Sequence, residues 1–235
     1  MELDVLLFSA SPRKKGNTVY TLEHAKKYLE DFGAKTEIVH LHDYKLVHCT
    51  GCLKCMRESD TCVMKDGLPE LNEYFHAAKS FIIGSPLYIN FITGPLKTFF
   101  DRNFHWVHRP GHIKKYAMFN VVSGHYSFVD QVEDYIRDIF TAWGSQYLGI
   151  NSFVSYGMHK FSNKEQDFAI YNKKLDNLVY SLRKNPVLKP DEKQIQYFDN
   201  FKKLFDNPYS IEELPLDYQF WKEKGLFEKN YYYEY

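Results

Sequence analysis

Leu3-Asp4-Val5-Leu6-Leu7-Phe8-Ser9-Ala10-Ser11-Pro12-Arg13-Lys14-Lys15-Gly16-Asn17-Thr18 is the stretch on which the fold is decided. Leu3 to Ser9 is a short apolar run of strand character, and beyond the loop Val19, Leu22, Ala25, Leu29 and Phe32 recur at helical spacing. Strand, loop and helix in that order place small hydroxyl and amide side chains at a helix N-terminus, where free N–H groups and the helix dipole favour an anion. The hydroxyls of Ser9, Ser11 and Thr18 and the amide of Asn17 suit a phosphate monoester, with Arg13 adding a charged hydrogen bond. Neither G-x-G-x-x-G nor G-x-x-x-x-G-K-[ST] is present, so the dinucleotide fingerprint and the P-loop are both excluded. Taken alone, the loop is also compatible with an ordinary strand-to-helix turn capped by Thr or Asn.

Working outward, the same alternation repeats. Gly33 stops the first helix and Thr36 to Leu41 reads as a second strand. Asp66-Gly67-Leu68-Pro69-Glu70 opens a helix carrying Leu71, Tyr74 and Phe75 into Ser80-Phe81-Ile82-Ile83-Gly84, a strand suited to burial on both faces. A helix from about Gly94 to Asn103, strands through 116–122 and 150–156, and helices bearing Val132, Ile136 and Ile139 and then Phe168, Tyr171, Leu175 and Leu178 complete the pattern. Strands separated by helices predict an α/β fold with a doubly wound parallel sheet. Pro186 and Pro190 mark a linker, which divides the chain into an expected cofactor domain, 1–185, and a helical, aromatic-rich extension, 186–235. Ser210 and Glu213 have capping-box spacing. Tyr218, Phe220, Trp221, Leu226, Phe227 and Tyr231 to Tyr233 demand a covering surface; a homo-oligomer, a dimer or higher, is expected to supply it, and packing back on the chain's own domain is the competing role.

Across 235 residues, 30 Lys and Arg balance 30 Asp and Glu, so no positive field exists to hold nucleic acid or an anionic membrane. No apolar run is long enough to span a bilayer, the N-terminus has no leader pattern, and a cytoplasmic location is expected.

Gly84-Ser85-Pro86-Leu87-Tyr88-Ile89-Asn90-Phe91-Ile92-Thr93-Gly94-Pro95-Leu96-Lys97 follows the third strand, where a doubly wound sheet carries its ligand loops. Leu87, Tyr88 and Phe91 suit a wall against a flat apolar ring, with free backbone groups after Pro86 and around Asn90 meeting its polar edge. Covering the end of the sheet is the competing role. Together with Ser9 to Thr18, and with Thr93-Gly94-Pro95-Leu96-Lys97-Thr98-Phe99-Phe100-Asp101-Arg102, this segment resembles the NAD(P)H-dependent FMN reductase and iron–sulfur flavoprotein group of the flavodoxin-like superfamily. The resemblance implies a five-stranded parallel sheet in flavodoxin order, bound FMN, NAD(P)H as co-substrate and a small-molecule or protein electron acceptor. It also makes Ser123-Gly124-His125 the third flavin loop. No catalytic side chain is expected, because the flavin carries the hydride chemistry. The rival reading is a non-enzymatic electron carrier or redox-sensing partner. A flavodoxin-like domain without cofactor would leave both ligand loops unexplained.

All four cysteines, Cys49, Cys52, Cys55 and Cys62, lie in one short segment. Such spacing turns a loop around a 4Fe-4S cluster, and it resembles the compact motif of iron–sulfur flavoproteins. Four-thiolate zinc and free or redox-active thiols beside the flavin are the alternatives. His105, His108 and His112 are irregularly spaced and are expected at the surface or an interface rather than as ligands.

Overall fold

The computed structural model describes residues 2–125 and 128–234. Its strands are β1 (Leu3–Ser9), β2 (Thr36–His40), β3 (Ala78–Pro86), β4 (Tyr116–Ser123), β5 (Gln146–Gly157) and β6 (Lys160–Phe161). The helices are α1 (Asn17–Asp31), α2 (Lys54–Arg57), α3 (Leu68–Ala77), α4 (Gly94–Arg102), α5 (His105–His108), α6 (Val129–Ala142), α7 (Lys164–Lys184), α8 (Glu192–Phe205), α9 (Pro208–Glu213) and α10 (Pro215–Glu223). The sheet order is β2-β1-β3-β4-β5-β6, with the first five strands parallel. Five strands therefore follow the expected order, but the sheet has six. β6 is a two-residue antiparallel strand paired with the end of β5, too short to carry any hydrophobic period.

Alternation along the strands builds two cores. Leu6 and Phe8 of β1 join Phe81, Ile83, Phe119 and Val121 on one face, under α3, α4 and α6. Val5 and Leu7 join Ile82, Met118 and Phe153 on the other, under Leu22, Ala25 and Leu29 of α1 and Tyr171, Leu175 and Leu178 of α7. Buried Asn120 of β4 stitches this second face together: its amide donates to Thr21 Oγ1 (3.3 Å) and Tyr171 Oη (2.7 Å), and its carbonyl accepts from Asn151 Nδ2 (2.8 Å). Gly84, at the carboxyl end of β3, lets α1 approach closely, since a Cβ there would lie 3.0 Å from Thr18 Cγ2 and 3.1 Å from Leu22 Cδ1. Gly84→Ala is therefore expected to cost about 1–3 kcal/mol through overpacking, read as a lower urea midpoint at unchanged slope.

The chain beyond α7 forms a third core of Phe198, Phe205, Trp221, Leu226 and Tyr231 to Tyr233, with Ile113 of the body packed against it. Trp221 Nε1 donates to the His108 carbonyl at 2.8 Å, and Gln194 Nε2 to Thr141 Oγ1 of α6 at 3.2 Å. The extension's aromatic residues thus find their partner within the chain, and this removes the ground on which an oligomer interface was expected of them. The expected capping box at Ser210 is also displaced. Asp191 and Gln194 form one at α8, while Ser210 lies inside α9, which Asn207 caps. His105, His108 and His112 are buried rather than superficial. Their irregular spacing reflects the turns around the short α5, which fold all three inward. Among the described residues no helix is long and apolar enough to cross a membrane.

Candidate functional site

α1 is preceded by Gly16 at its N-cap position, whose N–H donates to the Arg13 carbonyl at 3.0 Å. A side chain at 16 would meet Arg13 Cβ and carbonyl oxygen at 3.0 and 3.1 Å, so the tight turn favours glycine there. No side chain caps the helix and its first turn has no acidic residue, contrary to the ordinary Thr or Asn cap that the sequence also allowed. The first-turn amides of α1 therefore remain available to an anion. Ser9 Oγ accepts from the Ser11 amide (3.4 Å), and Ser11 Oγ accepts from the Arg13 amide (3.2 Å), which curls the loop over the helix end. Thr18 is buried.

This loop, β3 and the β5–β6 hairpin open on one cavity of about 270 Å³ lined by Ser11, Arg13, Asn17, Pro86, Tyr88 and Ser155. Thr18, Val122, Gly157 and Met158 complete much of its wall. The cavity sits at the carboxyl edge of the parallel strands and meets the requirement that FMN imposes: uncapped amides and hydroxyls at one end, a proline and an aromatic ring at the other. Tyr88 is 46 % exposed at the rim. Its amide and carbonyl pair with those of Phe91, closing a turn in which Ile89 and Asn90 both have positive φ (50° and 63°). A β-branched residue in that conformation is strained, and Ile89 is 96 % exposed.

Not every expected ring contact lines this cavity. Phe91 turns away and packs on Tyr135 of α6, ring centroids 5.1 Å apart, because the tight turn at 89–90 reverses its direction. Asn90 is exposed in that turn, and Leu87 is partly buried against the first core while its amide donates to the Val122 carbonyl (2.9 Å). Ser123 is buried and its hydroxyl donates to the His125 carbonyl; Gly124 and His125 are exposed. The His125 ring stands edge-on to Phe128.

Sequence reasoning missed the β5–β6 hairpin. Asn17 Nδ2 donates to Ser155 Oγ (2.6 Å) and the Gly157 carbonyl (3.0 Å), and Asn17 Oδ1 accepts from the His159 amide (2.6 Å). His159 also stacks near Tyr20, centroids 4.7 Å apart. Thr93 was missed as well. Its hydroxyl caps α4 by accepting from the Leu96 amide and donates to the Ala10 carbonyl (3.3 Å), joining the two ligand loops. Position at the end of a parallel strand was the available signal for the hairpin.

The four cysteines line a second cavity, of about 360 Å³, together with Arg102 and Phe104. All four thiols are free; Cys49 and Cys52 are exposed, Cys55 and Cys62 partly buried. Arg102 is only 1 % exposed and uses every nitrogen. Nε meets Cys62 Sγ (3.0 Å), Nη1 meets the Val47 carbonyl (2.7 Å) and Asp66 Oδ2 (2.6 Å), and Nη2 meets Asp66 Oδ1 (3.0 Å) and the Met64 carbonyl (3.5 Å). Burial pushes the Asp66 carboxyl up, but Arg102 and the amides of Val47 and Leu68 outweigh it and hold the group below the usual carboxylate range. The Lys54 amide lowers the Cys52 thiol, whereas burial and then the neighbouring Cys62 raise Cys55. Among the described residues no three His, Cys, Asp or Glu side chains converge as ligands of one metal ion. Zinc would draw all four sulfurs to about 2.3 Å from a single centre. A 4Fe-4S cube instead takes one thiolate per iron around a larger body, and a ring of thiols about a cavity fits that donor arrangement.

Two of the buried histidines are held neutral: burial, with Arg109 nearby, pushes His105 down to about 3, and complete burial takes His112 well below its usual value. They belong to the core around Trp106 rather than to either cavity's ligand set.

The sequence model described as NADPH-dependent FMN reductase matches residues 3–159. An iron-sulfur flavoprotein of Archaeoglobus fulgidus is 29% identical over 216 residues, which are 92% of this chain and 96% of that one. An iron-sulfur flavoprotein of Methanocaldococcus jannaschii is 34% identical over 100 residues, 43% of this chain and 50% of its own. Among solved structures, RosB with bound 8-demethyl-8-formylriboflavin-5'-phosphate superimposes with TM-score 0.60 at 14% identity, covering 88% of each chain. The apo form of an NADH:FMN oxidoreductase superimposes with TM-score 0.53 at 20% identity, over 82% of this chain and 93% of that one.

Proposed function

The chain belongs to the NADPH-dependent FMN reductase family, an oxidoreductase family, and from that premise we propose that it binds FMN at the carboxyl edge of the sheet and passes electrons from NAD(P)H to a further acceptor. The observation that carries this reading is the single cavity shared by the 9–18 loop, Pro86, Tyr88 and the β5–β6 hairpin. The amides of the first turn of α1, the hydroxyls of Ser9, Ser11 and Thr18, and Arg13 hold the phosphate; Asn17 keeps the hairpin closed over them. Pro86 and Tyr88 carry the ring, with Leu87, Asn90 and Phe91 shaping the turn from behind and Ser123, Gly124 and His125 bordering it. FMN, when bound, supplies the two-electron hydride acceptor and donor. The protein's own contribution is orientation and exclusion of water.

Cys49, Cys52, Cys55 and Cys62 hold a 4Fe-4S cluster in the same reading, with Arg102 donating to Cys62 and so stabilising a thiolate ligand. Residues 1–185 make the cofactor domain and 186–235 the extension that covers α5. The acceptor is a small molecule, such as a quinone, azo or nitro compound or a flavin, or the cluster itself passing single electrons onward.

Full-length protein purified anaerobically without added flavin is expected to release FMN on denaturation and to contain about four irons per chain. Protein that neither retains FMN nor takes it up would overturn the flavin reading. Full flavin without iron would overturn the cluster, and zinc in its place would mark a structural site.

A further inference from the structure

We propose that the C-terminal extension fixes the shape of the cysteine segment through Arg109, which Asp217 holds in place, making Arg109 a positioning residue for the thiols. Arg109 is 6 % exposed and Asp217 fully buried. The carboxylate of Asp217, on α10, accepts from Arg109 Nη1 through one oxygen and faces His108 Nδ1 (2.8 Å) with the other. The remaining arm of the guanidinium, Nη2, reaches the backbone of the cysteine segment: the Cys55 carbonyl at 2.5 Å and the Ser59 carbonyl at 3.5 Å. The first carbonyl belongs to α2 and the second to the turn that runs from it toward Cys62. A buried carboxylate thus aims a cation at the backbone between two thiols, from a position 162 residues further along the chain than Cys55.

Few other links compete with this one. A cavity of about 470 Å³ separates much of the extension from the segment, with Asp60 and Thr61 on one side and Phe220 and Lys224 on the other. α10 touches α2, and Arg57 pairs with Glu213 at 3.1 Å on the surface, where both side chains are about half exposed and the pair is weak. The planar fork of Arg109 is what allows simultaneous service to Asp217 and to the Cys55 carbonyl; a lysine reaches one or the other. The link explains why an extension outside the matched family region is folded tightly against the body at this place.

The metal arm of the test rests on the cluster reading; the exchange arm does not. Amide exchange and iron release to a chelator are measured on the full-length, flavin-loaded protein prepared anaerobically. In Arg109→Lys, exchange across 53–62 is expected to accelerate by about tenfold to a hundredfold, the range for losing a charged hydrogen bond, while 192–233 stays protected. Iron release accelerates by the same factor. Asp217→Asn loosens both regions. Acceleration confined to the extension overturns the proposal and leaves Arg109 a simple anchor. Wild-type protein without iron but with the predicted exchange pattern overturns the cluster and leaves the coupling standing; iron present with both rates unchanged in Arg109→Lys does the reverse. Should that variant fail to fold, Arg57→Gln serves as the second test: the weak surface pair is expected to leave exchange over 53–62 within about twofold of the wild type, and a tenfold or larger acceleration there would make that pair the link and overturn the proposal.

Discussion

Replacing Arg102 by methionine is expected to destabilise the segment 46–66 by about 3–5 kcal/mol, the range for removing one partner of a buried ion pair. The guanidinium is buried and binds Asp66 through two nitrogens while also binding the carbonyls of Val47 and Met64 and the thiol of Cys62. Methionine follows the unbranched stem only as far as the position of Nε and leaves Asp66 with only the amides of Val47 and Leu68. The cost falls on the segment rather than the sheet, because the strands make none of these contacts. Exchange in 46–66 should then rise toward that of an open loop and iron should be lost, with the FMN content unchanged. Arg102→Lys should recover only part, since one ammonium cannot span Asp66, Val47 and Cys62 together. Full protection of 46–66 in Arg102→Met would contradict the assignment.

Asn17→Asp should separate folding from flavin binding. An acid in the first turn of α1 interacts favourably with the helix dipole, which offsets much of the hydrogen bond lost to the hairpin, so overall stability is expected to change by no more than about 1 kcal/mol. The same charge opposes the FMN phosphate, and the side chain can no longer donate to the Gly157 carbonyl. Like charges near 4 Å at an effective dielectric of 20 repel by about 4 kcal/mol, so even half of that weakens FMN on the order of thirtyfold, and the lost hydrogen bond carries it toward a hundredfold. Asn17→Ala loses the three hairpin contacts without the charge and should weaken FMN less. Titration of flavin fluorescence, with the urea midpoint measured in parallel, checks both; a destabilised Asn17→Asp with normal flavin affinity would refute the phosphate assignment.

The parallel core was legible because β1, β3 and β4 show apolar runs, β2 and β5 shorter apolar stretches, and helices with a buried stripe separate them along the chain. β6 was not: two residues carry no pattern, and it exists only as the return of the hairpin that Asn17 ties down. Ser11, Arg13, Asn17, Thr18, Pro86 and Tyr88 come together as loops at one sheet edge must. Of the expected ring wall only Tyr88 lines the cavity: Leu87 and Phe91 pack toward the first core, Phe91 because local turn geometry, with two consecutive positive φ values at 89 and 90, overrides a reading based on residue type. His105 and His112 illustrate a further limit. Complete burial of a neutral imidazole depends on aromatic neighbours such as Trp106, Phe75 and Trp143, which lie far apart in sequence. The extension's apolar residues were correctly read as needing cover, but composition cannot tell whether the covering surface lies on the same chain.

The central claim is that this chain's cavity holds FMN in a position to accept hydride from a nicotinamide. Anaerobic titration of the full-length, FMN-loaded protein with NADPH and, separately, NADH, followed at the flavin's visible absorption band, tests it most directly. Complete bleaching at about one equivalent of at least one nucleotide, with the colour returning on addition of a quinone, is the predicted result. A flavin band that stays unchanged with excess of either nucleotide, in protein shown to be folded and to bind FMN, would contradict it.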